Sequence, residues 1–338
     1  MSKVLIIRLS AIGDVAMMIP VVYSVAENNP EDSFTALTQS LLKPFFINPP
    51  SNLNVIGINT STTEKTFSGF LHFAWKLRSY DFDMVIDLHG VIRSRMVDFI
   101  FWLSGKRVFK IDKRRSENKR LTARPPKVIH QLRPVIDRYA DVFRTAGFRF
   151  EITFKSLFEK NPADESAIKE KTGRWIGIAP FARHRGKVYP IEKMENIVAF
   201  LSKQEGMTVF LFGGRGEEWN ILNRWEHTYQ NTMNTVGRFS IDMEISLMSR
   251  LDALVSMDSA NMHIASLAGV KVISIWGATH PFAGFYGYRQ HEDLIVQKDL
   301  PCRPCSVYGN KPCYRKDYAC MMQITPENII AKIEAALQ

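Results

Sequence analysis

Much of what this 338-residue chain lacks narrows what it does. No uninterrupted apolar run approaches the roughly 18 residues that cross a bilayer as a helix. The most apolar stretch, "KVLIIRLSAIGDVAMMIPVVYSVA" from Lys3, is broken by Arg8 and Asp14 before a secretory h-region of useful length develops. Cysteine is scarce, four residues all between 302 and 320, so no disulfide framework staples the fold. Glycine and proline are scattered, and no repeat or low-complexity tract stands out, which disfavours fibrous and disordered classes. No G-x-G-x-x-G follows the first apolar run, because "LSAIGDV" lacks that spacing, and a dinucleotide enzyme is disfavoured with it. The expectation is a cytoplasmic enzyme of about two domains.

What is present in excess is positive charge. The formal net charge is +10, and between Gly105 and Arg138 twelve Lys or Arg face three acids, Asp112, Glu117 and Asp137. Charge so concentrated points to an anionic partner: a substrate, an acidic membrane surface or nucleic acid. A solvated loop that only aids solubility is the plainer reading. Nucleic acid is the weakest candidate, since Phe109 is the one aromatic in that stretch on which a base could stack.

Strand and helix signals alternate along the whole chain, as in βαβ construction. Strands are expected at "KVLIIRL", "SFTALT", "NVIGI", "DMVIDLHG" and "RVFKI", with helices near 15–28, 66–79, 91–103 and 130–146. A polar segment, "FEKNPADESAIKEKTGR", reads as a linker. "WIGIAP", "MTVFLFGG", "ALVSMD" and "KVISIWG" then follow as strands, with helices near 191–204, 216–229, 241–250 and 259–268. This predicts an α/β protein of two doubly wound domains, 1–160 and 172–325, closed by a C-terminal helix over 326–338. Ligands of such sheets bind beyond the carboxyl ends of the strands, so the residues just after each strand carry most weight.

After the first strand stand Gly13, expected to let the backbone turn close to a ligand, and Asp14, which by itself reads first as a helix cap at the mouth of the ligand cleft. In "VSMDSANMHIASLAGV", Asp258 ends a strand, Ser259 is a plausible N-cap, and His263 falls about one turn into the helix. A helix start at a strand mouth suits phosphate oxygens, whereas Asp258 would repel them and better orients N–H groups or binds a sugar hydroxyl. The loop "APFARHRGKVYP" brings Arg183, His184, Arg185 and Lys187 within five positions, a set suited to a diphosphate. In "FGGRGEE", Glu217 is placed to accept from ribose or sugar hydroxyls.

In combination, "RLSAIGDVAMMIP", "GKVYP", "DSANMHIASLAGVKVISIWGATHP" and "CRPCSVYGNKPCYRKDYACMMQITPENI" resemble glycosyltransferase family nine, the ADP-heptose:lipopolysaccharide heptosyltransferases, over nearly the whole chain. The resemblance implies a GT-B fold, two Rossmann-like domains facing a central cleft, with acceptor on the first and nucleotide-sugar donor on the second. It also implies an inverting transfer that requires no cofactor and no catalytic metal. Residue by residue, it makes Asp14 the catalytic base with Gly13 beside it. It makes Arg183, Lys187, Glu217, Asp258, Ser259 and His263 donor-binding. In "DLHGVIRS" it makes Arg93 the contact to an acidic core sugar. The partners implied are a nucleotide-sugar donor, an anionic glycolipid acceptor and the inner face of the inner membrane, touched peripherally through the basic segment. Ala260 and Asn261 replace a frequent Gly-Pro, His280 a frequent Asp and Tyr189 a frequent Trp, which bears on the identity of the sugar. Two other readings stay open: a GT-B transferase of another nucleotide sugar, and a non-catalytic basic protein that binds nucleic acid. Cys302, Cys305, Cys313 and Cys320 are compatible with either a structural Zn2+ site or unliganded thiols.

Overall fold

The computed structural model describes residues 1–338 except 60, 61, 63, 164–167 and 169, so part of the expected linker lies outside the described residues. The chain divides into two compact units, residues 1–114 with 133–155, and residues 115–132 with 156–338. The expected boundaries differ from this at residues 115–132, which follow the first sheet in the chain yet cluster with the second unit.

The first unit is a five-stranded, all-parallel sheet in the order β3-β2-β1-β4-β5. Its strands are β1 (Lys3–Ile7), β2 (Ser33–Gln39), β3 (Leu53–Ile58), β4 (Met84–Asp87) and β5 (Arg107–Lys110). The central strands read as nearly continuous β-branched and aliphatic runs because helices cover both sheet faces. Helices α2 (Phe67–Lys76) and α3 (Ile92–Leu103) cover one face, closing a core of Leu5, Ile7, Phe70, Val85, Val97 and Phe101. Helix α1 (Ile12–Asn28) packs beside α5 (Val135–Ala146). Ser24 of α1 accepts from the backbone N–H groups of Thr153 and Phe154 and ties down the end of this unit.

In the second unit, β6 (Arg174–Ala179), β7 (Met207–Leu211), β8 (Thr232–Asn234), β9 (Ala253–Met257), β10 (Val272–Trp276) and β11 (Ile295–Gln297) form a six-stranded parallel sheet in the order β11-β10-β9-β6-β7-β8. Counted from its own first strand, this is 3-2-1-4-5-6, the doubly wound order of nucleotide-binding domains. The helices are α6 (Ile191–Leu201), α7 (Glu217–Thr228), α8 (Ile241–Ser249), α9 (Ala260–Leu267), the short α10 (Ala319–Met322) and α11 (Pro326–Ala336). Helix α11 packs on α6 and the sheet, so the expected C-terminal helix belongs to this core.

Residues 115–132 are built into the second unit rather than free. Helix α4 (Arg115–Leu121) leads into a loop in which Leu121 and Leu132 pack with Ala283. The Leu132 N–H donates to the Phe282 carbonyl, and Lys127 Nζ donates to the carbonyls of Cys302 and Pro304 at 3.2 and 2.5 Å.

Candidate functional site

In a doubly wound sheet the strand order reverses where the first strand meets the fourth, and loops from both strands open there. In the first unit those strands are β1 and β4, paired through Ile7 and Asp87. The first turn of α1, just after β1, carries Asp14, the loop after β4 carries His89, and they meet on Arg8. The Asp14 carboxylate ion-pairs with the Arg8 guanidinium through Oδ2, and the same oxygen accepts from the Ala11 N–H at 3.3 Å. Arg8 is buried, donates to the Leu88 carbonyl at 2.6 Å and lies 5.9 Å over the Tyr139 ring. The Tyr139 hydroxyl reaches the Asp14 carbonyl at 3.5 Å.

Asp14 is the third residue of α1, whose N-cap is Ala11. Its side chain therefore does serve the helix start, while its exposure of 21% keeps the carboxylate open to a ligand. Gly13 corrects an expectation: it is the second residue of α1 and has no positive φ, so the chain has already turned before it. What Gly13 contributes is a first-turn N–H, one of those a helix leaves without an internal acceptor.

His89 carried no signal in the sequence beyond its place in "DLHG". Its Nδ1 accepts from the Leu9 N–H at 3.4 Å, and Nε2 lies 3.5 Å from Ser10 Oγ. Burial, then the charge of Arg8, pushes its pKa down to about 4, so the ring is neutral at physiological pH. Below it, the buried Asp87 carboxylate accepts from the N–H groups of His89 and Gly90 and from Ser94 Oγ, which shapes the loop. Arg93 lies in the first turn of α3, donates to the Lys65 carbonyl at 3.2 Å and sits over the Phe70 ring. The same unit holds a cavity of about 230 Å3 beyond β5, lined by Lys110, Arg114 and Arg138 with Asp112 and Asp141.

In the second unit the reversal lies between β6 and β9, paired through Ala179 and Ser256. Lys187 from the loop after β6 meets Asp258 from the end of β9, Nζ to Oδ2 at 3.0 Å, with Asp258 buried. Asp258 thus holds the lysine rather than a backbone turn. The Lys187 stem lies against Gly309, where a Cβ would fall 2.4 Å from Lys187 Cγ. The expected four-cation loop is less charged than its sequence: Lys187 is paired, and burial, Arg183 and Lys187 together lower the His184 pKa. Arg183 and Arg185 are exposed, Arg185 over the Tyr318 ring.

Ser259 is the N-cap of α9 by its backbone, but its hydroxyl makes no cap bond and lies 3.3 Å from Ser256 Oγ. His263 is the fourth residue of α9 and is buried. Glu217 opens α7 and is exposed, while its neighbour Glu218 accepts from the Gly214 N–H at 2.6 Å and closes the glycine turn. Arg303, whose role the sequence did not reveal, is buried and fastens the loop after β10. It donates to the carbonyls of Gly277, Thr279 and Lys298 and to Gln297 Oε1. His280, in that loop, accepts from the Phe282 N–H, and burial then Arg303 pushes its pKa down to about 4.

All four cysteines are reduced and line one cavity of about 10 Å3 beside Arg303. Burial raises Cys305, and raises Cys320 to about 11. Among the described residues no group of three or more His, Cys, Asp or Glu is arranged to hold a metal ion.

Two parallel, doubly wound units with polar constellations at their switch points define an α/β protein of the GT-B fold class. Residues 70–314 match the model of glycosyltransferase family 9 (heptosyltransferase), and the chain belongs to that family. It is 21% identical to lipopolysaccharide heptosyltransferase 1 of Pseudomonas aeruginosa, an alignment covering 99% of this chain and 98% of that protein. It is 26% identical to lipooligosaccharide heptosyltransferase 2 of Campylobacter jejuni over 40% of this chain, a match spanning less than half, 42%, of that relative. Its fold superposes on that of the E. coli heptosyltransferase WaaC with ADP, with a TM-score of 0.70 at 18% identity over 99% of both chains.

Proposed function

We propose that this chain transfers a heptose from ADP-heptose to an anionic lipopolysaccharide core acceptor, with inversion and without a catalytic metal. The observation that carries this reading is that the expected acid, Asp14, and the expected phosphate ligand, Lys187, each stand at the switch point of their sheet, held by a buried partner of opposite charge. Family membership supplies the reaction class, and the name of the Pseudomonas relative supplies the acceptor class.

In this mechanism an acceptor hydroxyl attacks the anomeric carbon on the face opposite the diphosphate, and its proton passes to Asp14. The contacts of the carboxylate to Arg8 and to the Ala11 N–H fall on Oδ2, which leaves Oδ1 to accept from the substrate. The bond from the anomeric carbon to the diphosphate oxygen breaks, and ADP departs with the added negative charge. Lys187 and the first-turn N–H groups of α9 stabilise that charge, with Arg183 on the same loop. Binding requires Lys187 to exchange its Asp258 contact, in part or in full, for a phosphate oxygen. Glu217, Ser259 and His263 belong to the donor side of this reading. Arg93 and the cationic cavity beyond β5 serve the acidic acceptor, and the protein works peripherally at the inner face of the inner membrane.

Thermal shift across ADP-, GDP- and UDP-sugars tests the donor, with selective stabilisation by ADP-heptose expected. Stabilisation by a GDP- or UDP-sugar alone would replace heptose, a reading that Ala260, Asn261 and His280 make worth including. Salt-sensitive oligonucleotide binding with no response to any nucleotide sugar would overturn the enzyme reading.

A further inference from the structure

The outer surface of α3 does not read as one that faces water. Its exposed residues are Ile92, Arg95, Phe99, Trp102 and Leu103, on one stripe at helical spacing. Four of the five are large and apolar, exposed by 79% at Ile92, 57% at Phe99, 63% at Trp102 and 61% at Leu103. The rings of Phe99 and Trp102 stack at 6.0 Å. The one acid of the helix, Asp98, is buried. A solvated helix face carries Glu, Lys or Gln, whereas this one carries only aromatic, aliphatic and Arg side chains.

The surroundings continue the pattern. Helix α2, packed beside α3, exposes Phe67 and Trp75, and Tyr80 follows it. From residue 67 to 110 the exposed or half-exposed charges are Lys76, Arg78, Arg93, Arg95, Lys106, Arg107 and Lys110, against Asp81 and Asp83. Arg78 lies 4.7 Å over the Trp75 ring, and Lys106 Nζ lies 3.2 Å from Asp81. An apolar stripe of aromatic rings edged by cations matches the interface of an anionic bilayer, where rings sit at the headgroup level and Arg and Lys meet phosphates.

We infer that α3, with the α2 edge beside it, is a membrane-docking face that lies in the interface of an anionic lipid bilayer. This rests on the glycolipid reading of the acceptor for its biological sense, and on the residues of α3 for its physics. It differs from the expected use of the basic segment, because residues 115–132 are packed into the second unit. The same helix follows the loop that carries His89 and holds Arg93 in its own first turn, so docking would set the proposed acceptor site beside the lipid. A second copy of the chain is a poorer occupant, since face-to-face pairing brings Arg95, Lys106 and Arg107 of each copy toward those of the other.

The test is co-sedimentation with vesicles of phosphatidylglycerol and phosphatidylcholine against phosphatidylcholine alone, for wild type, Phe99→Ser/Trp102→Ser and Arg95→Gln. All three sites are exposed, and thermal melts are to check that each variant folds before it is compared. The expected result is preferential binding of wild type to anionic vesicles, a blue shift of Trp emission on binding, and a fall of about tenfold or more in partitioning for the double variant. Transfer to a delipidated, water-soluble acceptor should not change in the double variant, a readout separate from vesicle binding. Wild type that ignores anionic vesicles, or binding equal in the double variant, would overturn the docking face. So would a concentration-dependent dimer, seen by light scattering and lost in the double variant. Failure of transfer in wild type would instead strike the proposed reaction and leave the vesicle result standing.

Discussion

Arg8, Asp14 and His89 show how much one buried cation can organise. Arg8 fixes the Asp14 carboxylate, donates to the backbone of the β4 loop and adds its charge to the burial that keeps His89 neutral. His89 titrates near 4 against an ordinary value of 6.5, so folding favours the neutral ring. That stability is complete above pH 6.5 and is lost as the pH falls toward 4, by at most about 3 kcal/mol. His280 carries the same sign in the other unit. Asp98 has the opposite sign: burial first, then the nearby Asp87, lifts it to about 8 and favours the protonated acid. Its contribution is complete below the ordinary Asp value and is lost as the pH rises through 8. Between pH 4 and 6.5 the two effects oppose each other. His89→Gln should shallow the acid limb of a stability profile, and Asp98→Asn should raise stability on the alkaline limb. Urea midpoints from pH 4 to 9 check both, and profiles superposable on wild type would contradict the assignments.

At the scale of elements, the Lys187 loop, proposed to hold the donor, depends on a backbone position far along the chain. Gly309 has a φ of +75° and lies against the Lys187 stem. Gly309→Ala should displace that lysine and weaken nucleotide binding, and calorimetry showing wild-type affinity would separate the two residues. Lys187→Ala alone leaves Asp258 buried without its partner, a cost of about 3 kcal/mol. The variant Lys187→Met/Asp258→Asn should recover most of that stability while nucleotide affinity stays low. Recovery of both would make the pair structural only.

The elements were legible where they are long. Nine strands stand where alternation with helices placed them, because buried parallel strands are runs of Val, Ile and Leu. The edge strands β8 and β11, three residues each, carry too little pattern to be seen. Helix α1 begins at Ile12 rather than near 15, since Ala11 caps it without a recognisable capping side chain. Asp14, Lys187 and Asp258 could be picked out because each follows a strand. Arg8, His89 and Arg303 could not, because their meaning depends on which strands are neighbours, and only the sheet order puts β1 beside β4.

Over the whole molecule, the excess charge divides between two kinds of place. Part of it sits in residues 115–132, a segment anchored to the second unit through Lys127 and the Leu132 N–H. Another part surrounds the loop between β4 and α3 and the exposed face of α3 in the first. Exposed charges are screened beyond about 10 Å at 0.1 M salt, so rising ionic strength should weaken acceptor binding more than donor binding. Separate affinity titrations at 0.05 and 0.3 M salt check this, and equal sensitivity would contradict it. Chelation with EDTA should leave transfer unchanged.

The account turns on Asp14 as the base, and Asp14→Asn tests it most directly. Turnover with saturating ADP-heptose and acceptor should fall about 100- to 10,000-fold, with donor affinity by calorimetry equal to wild type. Wild-type turnover by the purified variant would reduce Asp14 to a helix-start ligand and contradict the mechanism.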